Sequence, residues 1–461
     1  MNAALRNPPG QHVFDPSDPM PTAHVILKNV FTDRDNRTLH HYSGQFFLWR
    51  NGHYPAADEQ AIRSTVYKFL SKSLRPVSGG TAPFQPTTTK VNNVLDALKA
   101  VTNLNAQKVA PAWLGEGAGF PAEDVISLRN GLLYLPGRRQ LEPTPAFWTH
   151  NALSYNYDQD ALDPENWLRF LGDIWPDDPE SINTLQEIFG YLLTADTRQQ
   201  KAFLLVGPKR SGKGTIARVA TAMLGQDNVC APTLASLSSQ FGLAPLINKL
   251  VAIIADARLG ARADQQQIAE RLLSVSGEDG QTLDRKYLPP WTGRLPTRFV
   301  IMSNELPRLA DASGALASRF IVLRMTNSFY GREDQGLTDR LLDELPSILL
   351  WALDGRDRLM KRGHFSQPKS AHQAIQEFED LSSPIGAFIR DCCEISPMSS
   401  ASVDDVFRAW KGWCDDQGRD HPGTKQTFGR DLRAAIPTLD TQQVRESGKR
   451  GRRYQGICLQ L

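Results

Sequence analysis

The sequence predicts an α/β protein organised around a sheet of buried parallel strands, and three observations carry that expectation. KAFLLVGPKRSGKGT (residues 201–215) is a short apolar strand that runs into a glycine-rich turn and then a helix. LVAIIAD (250–256) and FVIMSN (299–304) are continuous apolar runs of strand length. Strands covered on both faces read this way, because neither side of the pleat needs polar residues.

In chain order, residues 1–155 read as a mixed α/β N-terminal domain. Asn51-Gly52 and Asn130-Gly131 each sit between apolar stretches and predict β-hairpins. Between them Ile62, Val66, Phe69 and Leu70, then Val91, Val94, Leu95 and Leu98, keep helical spacing. The Pro-, Gly- and Thr-rich stretch SLRPVSGGTAPFQPTTT (73–89) reads as a surface loop joining those helices. Residues 156–200 form a helical segment in which Trp167, Phe170 and Leu171 share a face and Ser181 caps the helix that follows. Residues 201–355 hold the parallel-sheet core.

Residues 380–461 read as a small separate domain. Ser402 and Asp405 suggest a capping box ahead of a helix that buries Val406, Phe407, Trp410, Trp413 and Cys414. A second helix buries Phe428, Leu432 and Ile436 and leaves Lys425, Arg430 and Arg433 outside. Two strands around the basic tip SGKRGR complete a pattern that suggests a winged helix-turn-helix.

Bulk properties limit the classes open to such a chain. At 461 residues it is long for one core, and about three domains are expected. Lys plus Arg number 52 against 50 Asp plus Glu, so any nucleic-acid affinity must come from local patches. The five cysteines (230, 392, 393, 414 and 458) form no C-x-x-C pair and read as reduced thiols. No apolar run reaches the length of a membrane span and no signal-peptide block opens the chain, so a cytoplasmic protein with no membrane partner is expected.

The chemistry concentrates in the core. GPKRSGKGT matches G-x-x-x-x-G-K, a loop whose backbone amides wrap phosphates and which only small residues permit. Gly207, Pro208, Ser211, Gly212, Lys213, Gly214 and Thr215 are the expected ATP contacts, with Lys213 neutralising the β- and γ-phosphates. Gly214 stands where Ser or Thr normally follows the lysine, which leaves Thr215 as the best hydroxyl for Mg²⁺. Asp256, closing its strand, fits the acidic residue that holds the metal directly or through water. Ala255 and Ala257 flank it, so a second carboxylate must come from elsewhere, with Glu278 and Asp279 both open. Asn304 at the next strand tip suits a water-orienting amide, and Arg319 ahead of FIVLRM suits an arginine that reaches a neighbouring subunit's ATP.

Taken in order, GPKRSGKGT, VAIIAD, SGEDGQTLDRKY, IMSNELPR and ASRF resemble the Walker A, Walker B, B-prime, C and arginine-finger segments of superfamily 3 helicases. The likeness is to the helicase half of phage, satellite-phage and plasmid primase-helicases, related to the poxvirus primase-helicase, and covers roughly residues 40–350. The resemblance implies an AAA+ P-loop core, a hexameric homo-oligomer with ATP and Mg²⁺ at subunit interfaces, and 3′ to 5′ translocation along single-stranded DNA. It also implies a channel hairpin in which Lys286 and Tyr287, beside Arg285, grip the DNA backbone, with tyrosine where histidine is common.

On the winged-helix reading, Arg430 and Arg433 meet duplex DNA while Lys449, Arg450, Arg452 and Arg453 hold its backbone. The only D-x-D near the N-terminus, Asp33-Arg34-Asp35, reads as a polar loop, so primase chemistry is assigned to a separate primase or polymerase partner. Two alternatives stay open. One is an origin-binding ATPase that controls assembly without unwinding; the other is a small-molecule phosphotransferase, whose loops also end in GKGT.

Overall fold

The computed structural model describes residues 12–115, 119–259, 264–286, 288–309, 311, 314–419, 422–446 and 449–460, with backbone only at 445, 446, 449 and 450. Its first part packs α1 (Pro19–Val30), α2 (Glu59–Leu70) and α3 (Thr88–Val101) around Ile26, Ile62, Val66, Val91 and Leu98. Asp58 and Thr87 cap α2 and α3 by accepting from backbone amides of the first turn. Strands β1 (Leu39–Tyr42), β2 (Gln45–Leu48) and β3 (Ala56–Ala57) form an antiparallel meander. Asn51 and Gly52 make its second turn at φ of 50° and 85°, the left-handed pair that suits the twist of a hairpin.

Two readings of this region change. The expected loop at 73–89 contains a hairpin, β4 (Leu74–Val77) and β5 (Gly80–Pro83), turning at Ser78-Gly79. Its prolines, which argue against strand, lie in a two-stranded ribbon whose outer side is bridged, among the described residues, at Leu74 to Val13 and not at Pro76 or Pro83. In the next hairpin, β6 (Val125–Leu128) and β7 (Gly131–Tyr134), the turn is Arg129-Asn130. Gly131 instead opens β7, where a Cβ would lie 2.6 Å from the Leu141 carbonyl of β8 (Arg139–Leu141).

The centre is a five-stranded parallel sheet of β9 (Ala202–Val206), β10 (Val229–Cys230), β11 (Val251–Ile254), β14 (Arg298–Ser303) and β15 (Phe320–Arg324). Between β11 and β14 an antiparallel hairpin, β12 (Gln281–Arg285) and β13 (Leu288–Gly293), projects from the core. The sheet order is β10-β11-β14-β9-β15. Alternate residues feed two cores, which explains the unbroken apolar runs. Phe203, Leu205, Ile253, Met302 and Leu323 pack against α4 (Glu165–Ile174), α5 (Pro179–Leu192), α6 (Lys213–Leu224) and α10 (Leu345–Arg362). Leu204, Ile254, Ile301 and Val322 pack against α7 (Gln265–Ser276) and α11 (His372–Ser382). Two short helices, α8 (Ala315–Ser318) and α9 (Leu337–Asp343), flank β15.

Ser181 does not cap α5: Asp178 does, accepting from the Ser181 amide at 3.0 Å. A carboxylate ahead of the proline at the first helical position satisfies that amide and the helix dipole together. The first part of the chain is fastened to the core by the Arg356–Asp124 ion pair at 2.7 Å, and Ile126, Leu128 and Leu133 enter the core cluster itself.

The last part comprises α12 (Pro384–Cys392), α13 (Val403–Asp416) and α14 (Lys425–Ala435), with a sheet in the order β16-β18-β17. The strands are β16 (Cys393–Ser402), β17 (Asp440–Glu446) and β18 (Lys449–Leu459), all antiparallel. Phe388, Val406, Trp410, Phe428, Leu432 and Tyr454 fill its core. Ser402 caps α13 through the Asp404 amide, while Asp405 pairs with Arg408, so the expected reciprocal capping box does not form. Among the described residues no helix is long and apolar enough to cross a membrane.

Candidate functional site

The glycine-rich loop sits where β9 ends and α6 begins. Gly207 passes so close to the neighbouring strand end that a Cβ would meet the Met325 carbonyl oxygen at 2.5 Å. Gly212 turns the chain at φ 97°, and a Cβ there would lie 2.7 Å from Ile174 Cδ1. Both glycines are therefore demanded by packing and backbone conformation. Ser211 is buried against Met325.

Lys213 opens α6, where first-turn amides have no intrahelical acceptor and attract anions. Its ammonium donates to the Gly207 carbonyl at 2.6 Å, the Pro208 carbonyl at 2.8 Å and Ser211 Oγ at 3.1 Å. Partial burial holds the Lys213 pKa below the usual lysine value. The loop thus carries a cation folded back onto neutral acceptors, which a phosphate would outcompete. Gly214 is exposed, and Thr215 Oγ1 accepts from Arg218 at 3.1 Å.

Two cavities adjoin the loop. One, of about 790 Å³, lies between Lys209–Thr215, Phe170 of α4, and Phe329 with Arg332 beyond β15. The other, of about 940 Å³, is lined by Pro208, Arg258, Glu305, Arg308 and Arg324. Asn304, exposed at the tip of β14, borders both. It is thereby placed beside the loop, although strands β9 and β14 are far apart in sequence.

Asp256 stands two residues past β11, exposed and held by Arg258, with contacts of 2.5 and 2.9 Å. That guanidinium keeps its carboxyl below the usual aspartate pKa. Asp256 and Thr215 both offer the hard oxygen that Mg²⁺ takes, and an arginine occupies each.

Arg319 lies at the opposite edge of the sheet in the sense of strand direction, where the parallel strands begin, whereas the loop is where they end. It immediately precedes β15, and its carbonyl accepts from the Ala202 amide at the start of β9. Glu278 is at that edge too, bonded to Thr197 at 2.5 Å and to Gln200 at 3.4 Å. Neither Glu278 nor Asp279 therefore faces the loop of its own chain. Besides Glu333, which pairs with the loop's Arg210 at 3.3 Å, Glu305 next to Asn304 is a carboxylate near the loop that sequence reading missed. Its signal was adjacency to a strand tip already singled out.

The hairpin β12–β13 carries Lys286 exposed at its tip, while Tyr287 lies outside the described residues. Arg285 is committed elsewhere: it donates to the Pro289 carbonyl at 2.9 Å and to the Ser43 carbonyl at 3.2 Å. It thereby ties the hairpin to the β1–β2 turn, and burial lowers its pKa.

In the C-terminal part, Arg430 and Arg433 are exposed on α14. Arg430 contacts Asp431 at 2.9 Å. The basic residues expected at a hairpin tip lie within β18 instead. Arg452 is exposed there, whereas Arg453 donates to Ser400 Oγ at 3.2 Å and the Ser400 carbonyl at 3.1 Å and so braces β16. Lys449 and Arg450 belong to β18 by backbone, and their side chains lie outside the described residues. Asp33-Arg34-Asp35 forms a tight turn, with Arg34 and Asp35 at φ of 45° and 67°.

Residues 205–319 match a family model described as a family of unknown function, DUF5906. The match covers about a quarter of the chain, from the strand before the glycine-rich loop to Arg319. Among solved structures, the A form apo structure of the NrS-1 C-terminal region is similar to this chain at a TM-score of 0.50 and 14% identity, covering 95% of this chain and 100% of that one. The apo structure of the NrS-1 C-terminal region (305–718) has a TM-score of 0.48 and 13% identity, covering 96% and 99%. At such identity the likeness is one of fold.

Proposed function

We propose that this chain is an ATP-driven DNA helicase acting in the replication of a phage, plasmid or other mobile element, and that it works as a ring of identical subunits with ATP between neighbours. The observation that carries this reading is the placement of the candidate residues at two edges of the sheet. The loop, Lys213 and Asn304 share one edge, and Arg319 stands at the other. An arginine so placed serves a neighbour's nucleotide, which makes a multimer part of the chemistry.

In this reading the loop amides and Lys213 bind the β- and γ-phosphates, displacing the Lys213 ammonium from the carbonyls it now caps. Thr215 and Asp256 would hold Mg²⁺ once Arg218 and Arg258 yield, which would supply charge neutralisation at the phosphates. Asn304 orients the attacking water, and Arg319 from the adjacent subunit meets charge developing on the transferred phosphoryl group. Lys286 follows the strand backbone in the channel, with Arg285 holding its hairpin. The helices and sheet of residues 383–460 fit a winged helix that presents Arg430 and Arg433 to duplex DNA.

One observation favours the second reading, an ATPase that switches assembly at an origin without unwinding. Asp256 is flanked by Ala255 and Ala257 and its carboxylate is neutralised by Arg258, a resting arrangement suited to slow turnover. ATP turnover with and without single-stranded DNA tests the shared core of both. Lys213→Ala should abolish it while the protein still folds, and wild-type turnover in that variant would remove the ATP site from the loop.

A further inference from the structure

Arg319 does not stand alone at its edge of the sheet. Its Nη1 donates to Gln200 Oε1 at 2.5 Å. The Gln200 amide nitrogen in turn donates to Glu278 Oε2 at 3.4 Å and to the Gly277 carbonyl at 3.5 Å, and Glu278 Oε1 accepts from Thr197 Oγ1 at 2.5 Å. The polarity of this chain is fixed by chemistry. A guanidinium only donates and a carboxylate only accepts, so the amide between them has one permitted orientation.

Two further observations set the group apart from an ordinary surface network. Gln200 and Glu278 both adopt the left-handed backbone region, at φ of 51° and 66°, where a glycine or asparagine costs less. Lys201 adds a second cation beside Arg319, its ammonium donating to the Ser318 carbonyl at 2.6 Å, with its pKa lowered by burial and by Arg319. Gln200 therefore supplies the neutral acceptor that fixes Arg319 where a neighbouring cation would otherwise displace it.

Building on the reading of Arg319 as a trans-acting finger, we infer that Gln200 is its positioning residue and that Glu278 sets the orientation of the Gln200 amide. Gln200 touches no nucleotide; it acts through Arg319. A carboxamide holds the guanidinium without cancelling its charge, which leaves the full cation for the neighbour's phosphate. A carboxylate in direct contact with Arg319 would form an ion pair that competes with that phosphate.

The test uses full-length protein and measures ATP turnover. Gln200→Ala should lower kcat at least tenfold with KM for ATP unchanged, because the loop of the same chain is intact. Mixing Gln200→Ala subunits with Lys213→Ala subunits should restore part of the activity, since some interfaces then unite an intact loop with a positioned finger. Glu278→Ala, which removes the acceptor that orients the Gln200 amide, should lower kcat in the same way with KM unchanged. Gln200→Glu, which puts a carboxylate on Arg319, should lower kcat as well, and recovery of each variant on mixing with Lys213→Ala subunits shows that it folds.

Unchanged kcat in Gln200→Ala, or a loss that appears in KM, overturns the inference. So does a loss that mixing does not rescue when subunit exchange is verified. If Arg319→Ala itself turns over normally, the finger reading fails first; if Arg319→Ala collapses while Gln200→Ala does not, only the positioning role fails.

Discussion

Arg319→Ala separates a finger that serves the neighbouring subunit from a charge that acts within its own chain. Strand β15 has five residues, so about 16 Å of strand lies between Arg319 and the loop edge of the sheet. At an effective dielectric of about 20, a unit charge at that distance contributes about 1 kcal/mol, roughly fivefold in rate, and screening lowers it further. A finger in contact with a neighbour's phosphate contributes about 10³- to 10⁵-fold. Steady-state ATP hydrolysis at saturating ATP distinguishes these ranges, and fluorescent-nucleotide binding should stay within a few-fold of wild type because Lys213 and the loop are untouched. Mixtures with Lys213→Ala subunits should regain activity. A loss below about tenfold, or mixtures that stay inactive after verified subunit exchange, would refute the trans arrangement.

Lys286→Ala should keep basal ATP hydrolysis and lose DNA-stimulated turnover, and the salt dependence of single-strand binding should fall by about 0.7 log units per log unit of salt; retained stimulation would move the DNA grip away from the hairpin. Arg430→Ala with Arg433→Ala, in the full chain, should weaken duplex binding in gel shifts at low salt while leaving ATP turnover on single strands unchanged. Equal duplex affinity in that variant would show that α14 does not face the duplex.

The parallel sheet and its loop were legible in the sequence because their signals are local: each strand is one apolar run, and the loop follows its strand directly. The C-terminal helices were legible for the same reason, through Trp410, Phe428 and Leu432 at helical spacing. Strand β16 was not, since CEISPMSSAS mixes proline and serine and its pairing with β18 is broken by a register shift between Ile395 and Ser400. The hairpin β4–β5 was hidden by Pro76 and Pro83.

At the site, the sequence pointed to Lys213, Asn304 and Arg319, but the partners of these residues come from distant segments. Gln200 and Arg319 are 119 positions apart, and Arg285 reaches 242 positions back to Ser43. No periodicity encodes such contacts. Glu278, left open in the sequence beside Asp279 as a second carboxylate, is carried by the return of α7 to the side of Thr197 and Gln200, away from the loop of its own chain.

Strand displacement on a forked duplex tests the central claim most directly. The full-length protein with ATP and Mg²⁺ should release the labelled strand, and should fail to do so without ATP or in the Lys213→Ala variant. ATP hydrolysis that is stimulated by DNA yet releases no strand would contradict the helicase reading and leave the assembly-switching ATPase in its place.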